Sequence, residues 1–327
     1  MIYTHLTREE RYQIQALLRA GLTRAAIARQ LKRSPSTIYR EIARNRCRNG
    51  YWPNPANKLA RRRLRKRAHS NVRRVDQAVW EMALRYLQKE WSPEQIAGLM
   101  RKAQGAPGIS HETIYRKIYA QIRAGATLAH YLRFSHPKRR RRKRANRNQS
   151  RYGHALRTRI DQRPAIVAER SRLGDWEGDT IIGANQQQAI VTWVERRTGF
   201  LLMAKVERKT SDAVCKASIG LLRRHRQNVH TLTTDNGTEF ARHIQLSKAL
   251  DAPSYFADPY ASWQRGTVEN TNGLIRQYFP KKKRFEFITE KDIQFVMERL
   301  NQRPRKRLNY RTPYEVFMAE SAFALRG

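Results

Sequence analysis

The stretch Asp175–Val206 reads DWEGDTIIGANQQQAIVTWVERRTGFLLMAKV. It holds three apolar-rich runs, Asp175–Ile182, Ala189–Val194 and Phe200–Val206, with turn residues between them at Gly183-Ala184-Asn185 and Arg197-Thr198-Gly199. Short runs rich in β-branched and aromatic residues, bounded by Gly and Asn, predict strands joined as hairpins. Beyond them the pattern predicts a helix over about 211–224, a strand over 230–234, a helix over about 239–250 and a short strand over 254–257. Hairpin-linked strands followed by β/α alternation predict an α/β domain with a mixed sheet.

That order of elements is ribonuclease-H-like. Acidic residues are scarce in the chain, 27 against 67 Lys plus Arg, so their placement is informative. Asp179 sits in mid-strand before Ile181-Ile182, and Asp235 follows Leu232-Thr233-Thr234 and opens the turn Asp235-Asn236-Gly237. Glu269 comes after 33 intervening residues, in Gly266-Thr-Val-Glu-Asn-Thr-Asn-Gly273, where a helix is expected to begin and run to about Phe279. One carboxylate on a strand, one at a neighbouring strand end and one on a helix are able to converge at a sheet edge. Phosphodiester cleavage uses such a set when two hard cations ~3.5–4 Å apart activate the attacking oxygen and stabilise the leaving one. Mg²⁺ prefers oxygen ligands of this kind. A bland role is also open, because Asp-Asn-Gly is a common turn sequence.

The chain has 327 residues, room for two or three domains, and a net charge of +40. Residues 1–150 hold 36 basic and 8 acidic residues, so most of the excess lies in the first half. A polyanion that neutralises it is expected, and nucleic acid is the natural one. With 40% hydrophobic residues a core is available, which excludes disorder throughout. Cys47 and Cys215 are far apart, excluding a disulfide framework and a zinc-finger ligand set. The start MIYTHLTREERY has no apolar segment and no run of 18 apolar residues follows, so neither a signal peptide nor a membrane span is expected, and an intracellular place on nucleic acid is expected.

The first half carries an internal repeat. Helices are expected over 7–19, capped by Thr7 with Glu10 at the capping-box position, over 23–31 capped by Thr23, and from Ser34-Pro35 onward with Ile38 and Ile42 on one face. Ser34-Pro-Ser-Thr-Ile-Tyr-Arg-Glu-Ile42 returns as Ser110-His-Glu-Thr-Ile-Tyr-Arg-Lys-Ile118, with six identities in nine positions. Matching short helices precede both copies, at Thr23-x-x-x-Ile27-Ala28 and Ser92-Pro-Glu-Gln-Ile96-Ala97. Two tandem helix-turn-helix modules are expected. In such a module the last helix enters the major groove by its N-terminal residues. This nominates Ser34, Ser36, Thr37, Tyr39 and Arg40 in the first module, and Ser110, His111, Glu112 and Arg116 in the second. Arg40 and Arg116 suit guanine edges, phosphates or plain solvent equally. Two basic runs, 58–74 and Lys138–Arg144, read either as solvated segments or as arms on phosphates.

Three longer motifs carry a family resemblance. Gly174-Asp-Trp-Glu-Gly-Asp-Thr180, Thr233-Thr-Asp-Asn-Gly-Thr-Glu-Phe240 and Asp258-Pro-Tyr-Ala-Ser-Trp-Gln-Arg-Gly-Thr-Val-Glu-Asn-Thr-Asn-Gly-Leu-Ile-Arg-Gln-Tyr-Phe-Pro280 resemble the DDE transposases of the bacterial IS-thirty insertion-sequence family, over nearly the whole chain. Trp176-x-x-Asp179-Thr180 is also similar to the first catalytic motif of retroviral integrases. The resemblance implies that Asp179, Asp235 and Glu269 hold two Mg²⁺ ions, with Mn²⁺ an expected substitute. It chooses Asp179 over Glu177, which shares its strand face. Glu239 and His243, at four-residue steps from Asp235, are left as structural groups. Asn272 and Arg276, on the Glu269 side of the helix, are expected to orient it or to hold phosphate. Gln264 and Arg265 are candidate DNA contacts, and Trp263 a candidate packing residue. One departure is Lys281-Lys-Lys-Arg284 after Phe279-Pro280, where relatives carry a Gly-containing turn.

The expected organisation is a first module over 1–57, a basic linker over 58–75, a second module over 76–137, a further basic linker over 138–165 and the catalytic domain over 166–327. The implied activity is Mg²⁺-dependent strand cleavage and 3′-hydroxyl strand transfer at terminal inverted repeats, into target DNA, by a homodimer or larger assembly. A DNA-binding regulator would need no such triad, whereas a nuclease that cuts without joining would share it.

Overall fold

The computed structural model describes residues 5–70, 75–103, 108–125, 128–132, 157–184, 187–259 and 261–324. The chain divides into two units, Met1–Asp76 and Gln77–Gly327. The run Lys138–Arg144 lies outside the described residues.

In the first unit α1 (Arg8–Arg19), α2 (Arg24–Gln30) and α3 (Pro35–Asn45) follow the expected order. The Thr7 hydroxyl accepts from the Glu10 amide, and the Glu10 carboxylate accepts in return from the Thr7 amide, so the capping box closes on both orphan donors. Gly21 turns the chain at φ +77°, a conformation that costs glycine little. Two short strands, β1 (Arg46–Cys47) and β2 (Gly50–Tyr51), pair as a hairpin before α4 (Pro53–Ser70). Residues 58–70 of the first basic run therefore lie in a helix, whose Ala56 joins Ile14, Ile27, Ile38 and Ile42 in one core. Arg11 crosses that unit half in the core, pairing with Glu41 at 2.7 Å and donating to the Leu6 carbonyl.

The second unit begins with the repeated module, α5 (Gln77–Gln88), α6 (Pro93–Lys102) and α7 (His111–Arg123). Trp80, Leu87, Ile96, Ile114 and Ile118 make its core. A short helix, α8 (Ala165–Glu169), leads into the sheet: β3 (Asp175–Ile182), β4 (Ala189–Glu195), β5 (Leu201–Val206), then α9 (Ser211–Arg223), β6 (Thr231–Thr234), α10 (His243–Leu250) and β7 (Ser254–Phe256). The helices α11 (Gly266–Tyr278), α12 (Glu290–Asn301) and α13 (Pro313–Ala324) complete it. The strand order is β5-β4-β3-β6-β7, with β3, β4 and β5 antiparallel and β6 and β7 parallel to β3. This is the ribonuclease-H-like arrangement.

Period two along the strands sorts the two faces. On β4, Ala189, Val191 and Trp193 point into one core with residues of α9, α10 and α13, while Ile190 and Val194 point into the other with those of α11 and α12. On β3, Trp176 faces the first core and Ile181 the second, so Asp175, Glu177 and Asp179 share the α11 side. Gly178 between them lies flat against Trp193, where an added Cβ would come within 2.6 Å of the ring.

The second module leans on the C-terminal segment of its own unit. Gln95 of α6 donates to the Pro304 carbonyl at 2.8 Å, and Glu94 pairs with Lys306 at 2.7 Å. Gly98 sits so tightly against Tyr310 that a Cβ would fall inside its ring. The basic stretch 303–307 is thus partly consumed in packing, with Arg303 buried beside Glu90 and donating to the Tyr278 hydroxyl at 3.1 Å. Among the described residues no helix is long and apolar enough to cross a membrane.

Candidate active site

β3 and β6 run parallel only from Asp175↔Thr231 to Glu177↔Thr233, so Asp179 extends beyond the paired segment and Asp235 follows the end of β6. Asp179 stands just past the parallel-paired segment and Asp235 just past the end of β6, on the side where α/β sheets characteristically bind ligands. Between them lies Arg265, the last residue of the short 3-10 turn Ser262–Arg265. Its Nη1 is 3.7 Å from Asp179 Oδ2 and its Nη2 is 3.6 Å from Asp235 Oδ2, while Nη1 also donates to the Gly178 carbonyl. Arg265 is buried, so the cation is held inside the pocket and not on the protein surface. The sequence pattern puts this loop beside the active site with Arg265 as a candidate DNA contact; that its guanidinium stands between the two acids is visible only in the fold.

Asn272 Nδ2 donates to Asp179 Oδ2 at 2.9 Å, and its Oδ1 accepts from the Thr192 hydroxyl at 3.1 Å. Asn272 therefore orients Asp179. Burial pushes the Asp179 carboxyl up to about 6; the guanidinium of Arg265 opposes that shift and the charge of Asp235 adds to it. Asp235 Oδ1 accepts from the Gly237 amide at 3.0 Å, closing the Asp-Asn-Gly turn. The turn and the convergence on Arg265 coexist at the same residue.

Glu269 stands in the first turn of α11, one turn before Asn272, and its side chain is exposed. Asp179 and Asp235 are brought to one guanidinium, and Glu269 is not brought to it. Among the described residues no three His, Cys, Asp or Glu side chains are gathered as a metal-ligand cluster. Arg276 ties α11 to the end of β3 by donating to the Ile182 carbonyl at 2.9 Å. Gln264 makes two bonds to Asp258, accepting from its amide at 2.8 Å and donating to its carboxylate at 2.9 Å. Trp263, expected to pack, is 76% exposed.

The remaining acids near the sheet are committed elsewhere. Glu177 is fully buried, forms an ion pair with buried Arg196 and accepts from the Val268 amide at 2.8 Å. Asp175 pairs with Arg172 and accepts from the Thr231 hydroxyl. Glu239 is in a 3-10 turn over Thr238–Phe240, accepting from the Thr180 hydroxyl and pairing with Lys209 at 2.6 Å. His243 opens α10 with its ring edge-on to Phe256. These two do not continue a single helical face from Asp235.

At the starts of α3 and α7, the nominated residues lie on the surface. Ser34, Ser36, Tyr39 and Arg40 are exposed and Thr37 half-exposed. Ser34 makes no cap bond to its helix, its hydroxyl instead lying 2.8 Å from that of Ser36. Arg24 stacks over Tyr39 at 4.7 Å. Ser110, His111, Glu112 and Arg116 are exposed too, with Ser110 capping α7 through the Thr113 amide.

Residues 3–45 match the model of a helix-turn-helix domain. The chain is 42% identical over 316 residues to a transposase for insertion sequence element IS4351 of Bacteroides fragilis, covering 96% of this chain and 95% of that one. It is 38% identical to transposase InsI for insertion sequence element IS30A of Escherichia coli, covering 95% and 83%. A transposase for insertion sequence element IS1086 of Cupriavidus metallidurans is 36% identical, covering 96% and 94%. Among solved structures, the catalytic core domain of BIV integrase is 22% identical with a TM-score of 0.37, covering 46% of this chain and 98% of that one. The fold assignment rests on strand order, not on that last likeness.

Proposed function

The chain belongs to the IS30 (IS-thirty) family of insertion-sequence transposases, and from that premise we propose that it cuts and joins DNA strands at the terminal inverted repeats of its own element, using Asp179, Asp235 and Glu269 as ligands of two Mg²⁺ ions. The observation that carries this reading is the convergence of Asp179 and Asp235 on one buried cation, Arg265, just past the parallel pairing of β3 and β6. Two acids that share a guanidinium form a site built for positive charge, and their hard oxygens suit Mg²⁺ better than a softer metal. When bound, the ions supply electrostatic stabilisation at the phosphodiester and activation of the attacking oxygen.

The chain's own residues do the positioning. Asn272 fixes the Asp179 carboxylate from α11, so strand and helix hold one geometry. Glu269, one turn earlier and facing solvent, would complete the ligand set. Arg265 sets one positive charge against the two acids and would hold them near each other. Arg276 keeps α11 against β3 through the Ile182 carbonyl. The exposed starts of α3 and α7 read the inverted repeats, where a bidentate Arg–guanine pair contributes ~1–3 kcal/mol of discrimination. Two element ends in one reaction call for at least two protomers.

The test is an end-processing assay with Mg²⁺ and a labelled duplex bearing the element's terminus, comparing the full chain with Asp179→Ala. A strand-specific nick and a joined product, both lost in the variant, are expected. Nicking without joining would reduce the reading to a nuclease, and specific binding without cleavage in Mg²⁺ or Mn²⁺ would replace it by a regulator.

A further inference from the structure

Trp263 is the most exposed large hydrophobic side chain among the described residues, at 76%. Its exposure is not that of a loose loop. Ala261 donates to the Asp258 carbonyl at 3.1 Å, Gln264 donates to the Ala261 carbonyl at 3.0 Å, and the Gln264 side chain clasps Asp258 from both its amide and its carboxylate. Two residues on, Arg265 is locked between Asp179 and Asp235. The backbone on both sides of the indole is therefore fixed while the indole itself is held in water. What sets this indole apart from other exposed hydrophobic side chains is its fixed backbone two residues from Arg265, and an indole suits a place where an apolar face meets a wet one.

Resting on the proposed role of Asp179, Asp235 and Glu269, we propose that Trp263 stacks on a nucleobase unpaired from the duplex beside the scissile phosphodiester. Every base has a π-face, so such a contact tolerates any sequence, unlike the polar starts of the recognition helices. Where a nucleotide is unstacked from a duplex, an aromatic platform compensates for the lost stacking. The flank of the rim is basic. Arg157 donates to the Asn236 carbonyl at 2.9 Å, and exposed Arg159 lies beside Asp161 and Asp258, the residue that Gln264 clasps, so the neighbourhood of the turn holds cations that suit phosphate.

The experiment uses the full chain and duplexes of the element's terminus with 2-aminopurine placed singly at positions flanking the cut. In an Asp179→Asn background, which holds DNA without turnover, one position is expected to change fluorescence on binding. Adding Trp263→Ala removes that change and Trp263→Phe keeps it. With Asp179 intact, Trp263→Ala is expected to cleave the paired duplex about 5- to 150-fold more slowly, the equivalent of ~1–3 kcal/mol per stacked base. Mismatched nucleotides at the same position should restore most of that rate, which loss of a merely structural residue would not allow. Equal cleavage of paired and mismatched duplexes by Trp263→Ala, at the wild-type rate, overturns the proposal. So does a change confined to protomer number in sedimentation, which would make the indole a contact between copies. Cleavage surviving in Asp179→Asn would instead sink the reading of the triad.

Discussion

Glu177 and Asp179 project from the same side of β3, one side-chain repeat apart, into opposite circumstances. Glu177 is wholly buried, joined to Arg196 and bonded by the Val268 amide, so its charge is cancelled and its oxygens occupied. Asp179 has one good side-chain donor, Asn272, and shares Arg265 with a second acid at distances beyond hydrogen bonding. Burial raises its pKa to about 6, which marks an ionised form the fold under-supports. The first acid fastens α11 and α8 to the sheet, since Arg196 also donates to the Val167 carbonyl. The second shares a single cation with another acid, at the place proposed above for substrate and cations. Perturbed carboxylates of this kind gather where chemistry is done.

The contrast breaks first at the open acids. Asp235→Asn is expected to lower strand cleavage about a thousandfold or more, since an amide ligates a hard cation poorly and the electrostatic contribution at stake is several kcal/mol. Thermal unfolding should hardly move, because Asp235 is held by the Gly237 amide of its own turn and lies 3.6 Å from Arg265. Glu177→Ala should do the reverse. It strands buried Arg196 without a counter-charge and is expected to cost ~3–5 kcal/mol of stability in denaturant titrations. A Glu177→Ala protein as stable as wild type would contradict its assignment as a structural anchor.

Asn272→Ala, which removes a hydrogen bond to a charged oxygen worth ~1.5–3 kcal/mol, is expected to slow cleavage by about 10- to 150-fold with intact DNA binding in gel retardation. The smallest effect is a pH dependence. Asp179 holds its proton more tightly in the folded chain than in the unfolded one, so its ionisation destabilises the fold as pH rises from its ordinary value near 3.8 to about 6. A cation needs the ionised form, so Mn²⁺ affinity should fall as pH drops through about 6, measured by titration calorimetry. In Asp179→Asn that pH step is expected to vanish.

Much of the fold was legible because hairpin turns and period-two alternation are local signals. The strands from Asp175 to Val206, the capping box of Thr7 and Glu10, and the helix running from Gly266 into Tyr278 all lie where those patterns put them. The repeat in Ser34–Ile42 and Ser110–Ile118 likewise emerges as α3 and α7. Partnerships across the chain were not legible. Nothing near Arg196 in sequence points to Glu177, and Arg265 reads as a loop cation until folding carries it between Asp179 and Asp235. Trp263 reads as a packing residue by composition, and only the closed turn around it shows an indole held outward. The basic run 58–74 reads as a solvated segment or an arm on phosphates, and its first part, 58–70, lies in a helix whose anchor, Ala56, is outside the run itself.

The most direct measurement is a Mn²⁺ titration by electron paramagnetic resonance of the full chain bound to a DNA end, repeated with Asp235→Asn and Glu269→Gln. Two ions per active site are predicted for the wild type, and at most one, weakly held, for each variant. Unchanged occupancy and affinity in Glu269→Gln would contradict the account, since it would leave the exposed carboxylate of α11 outside the metal site.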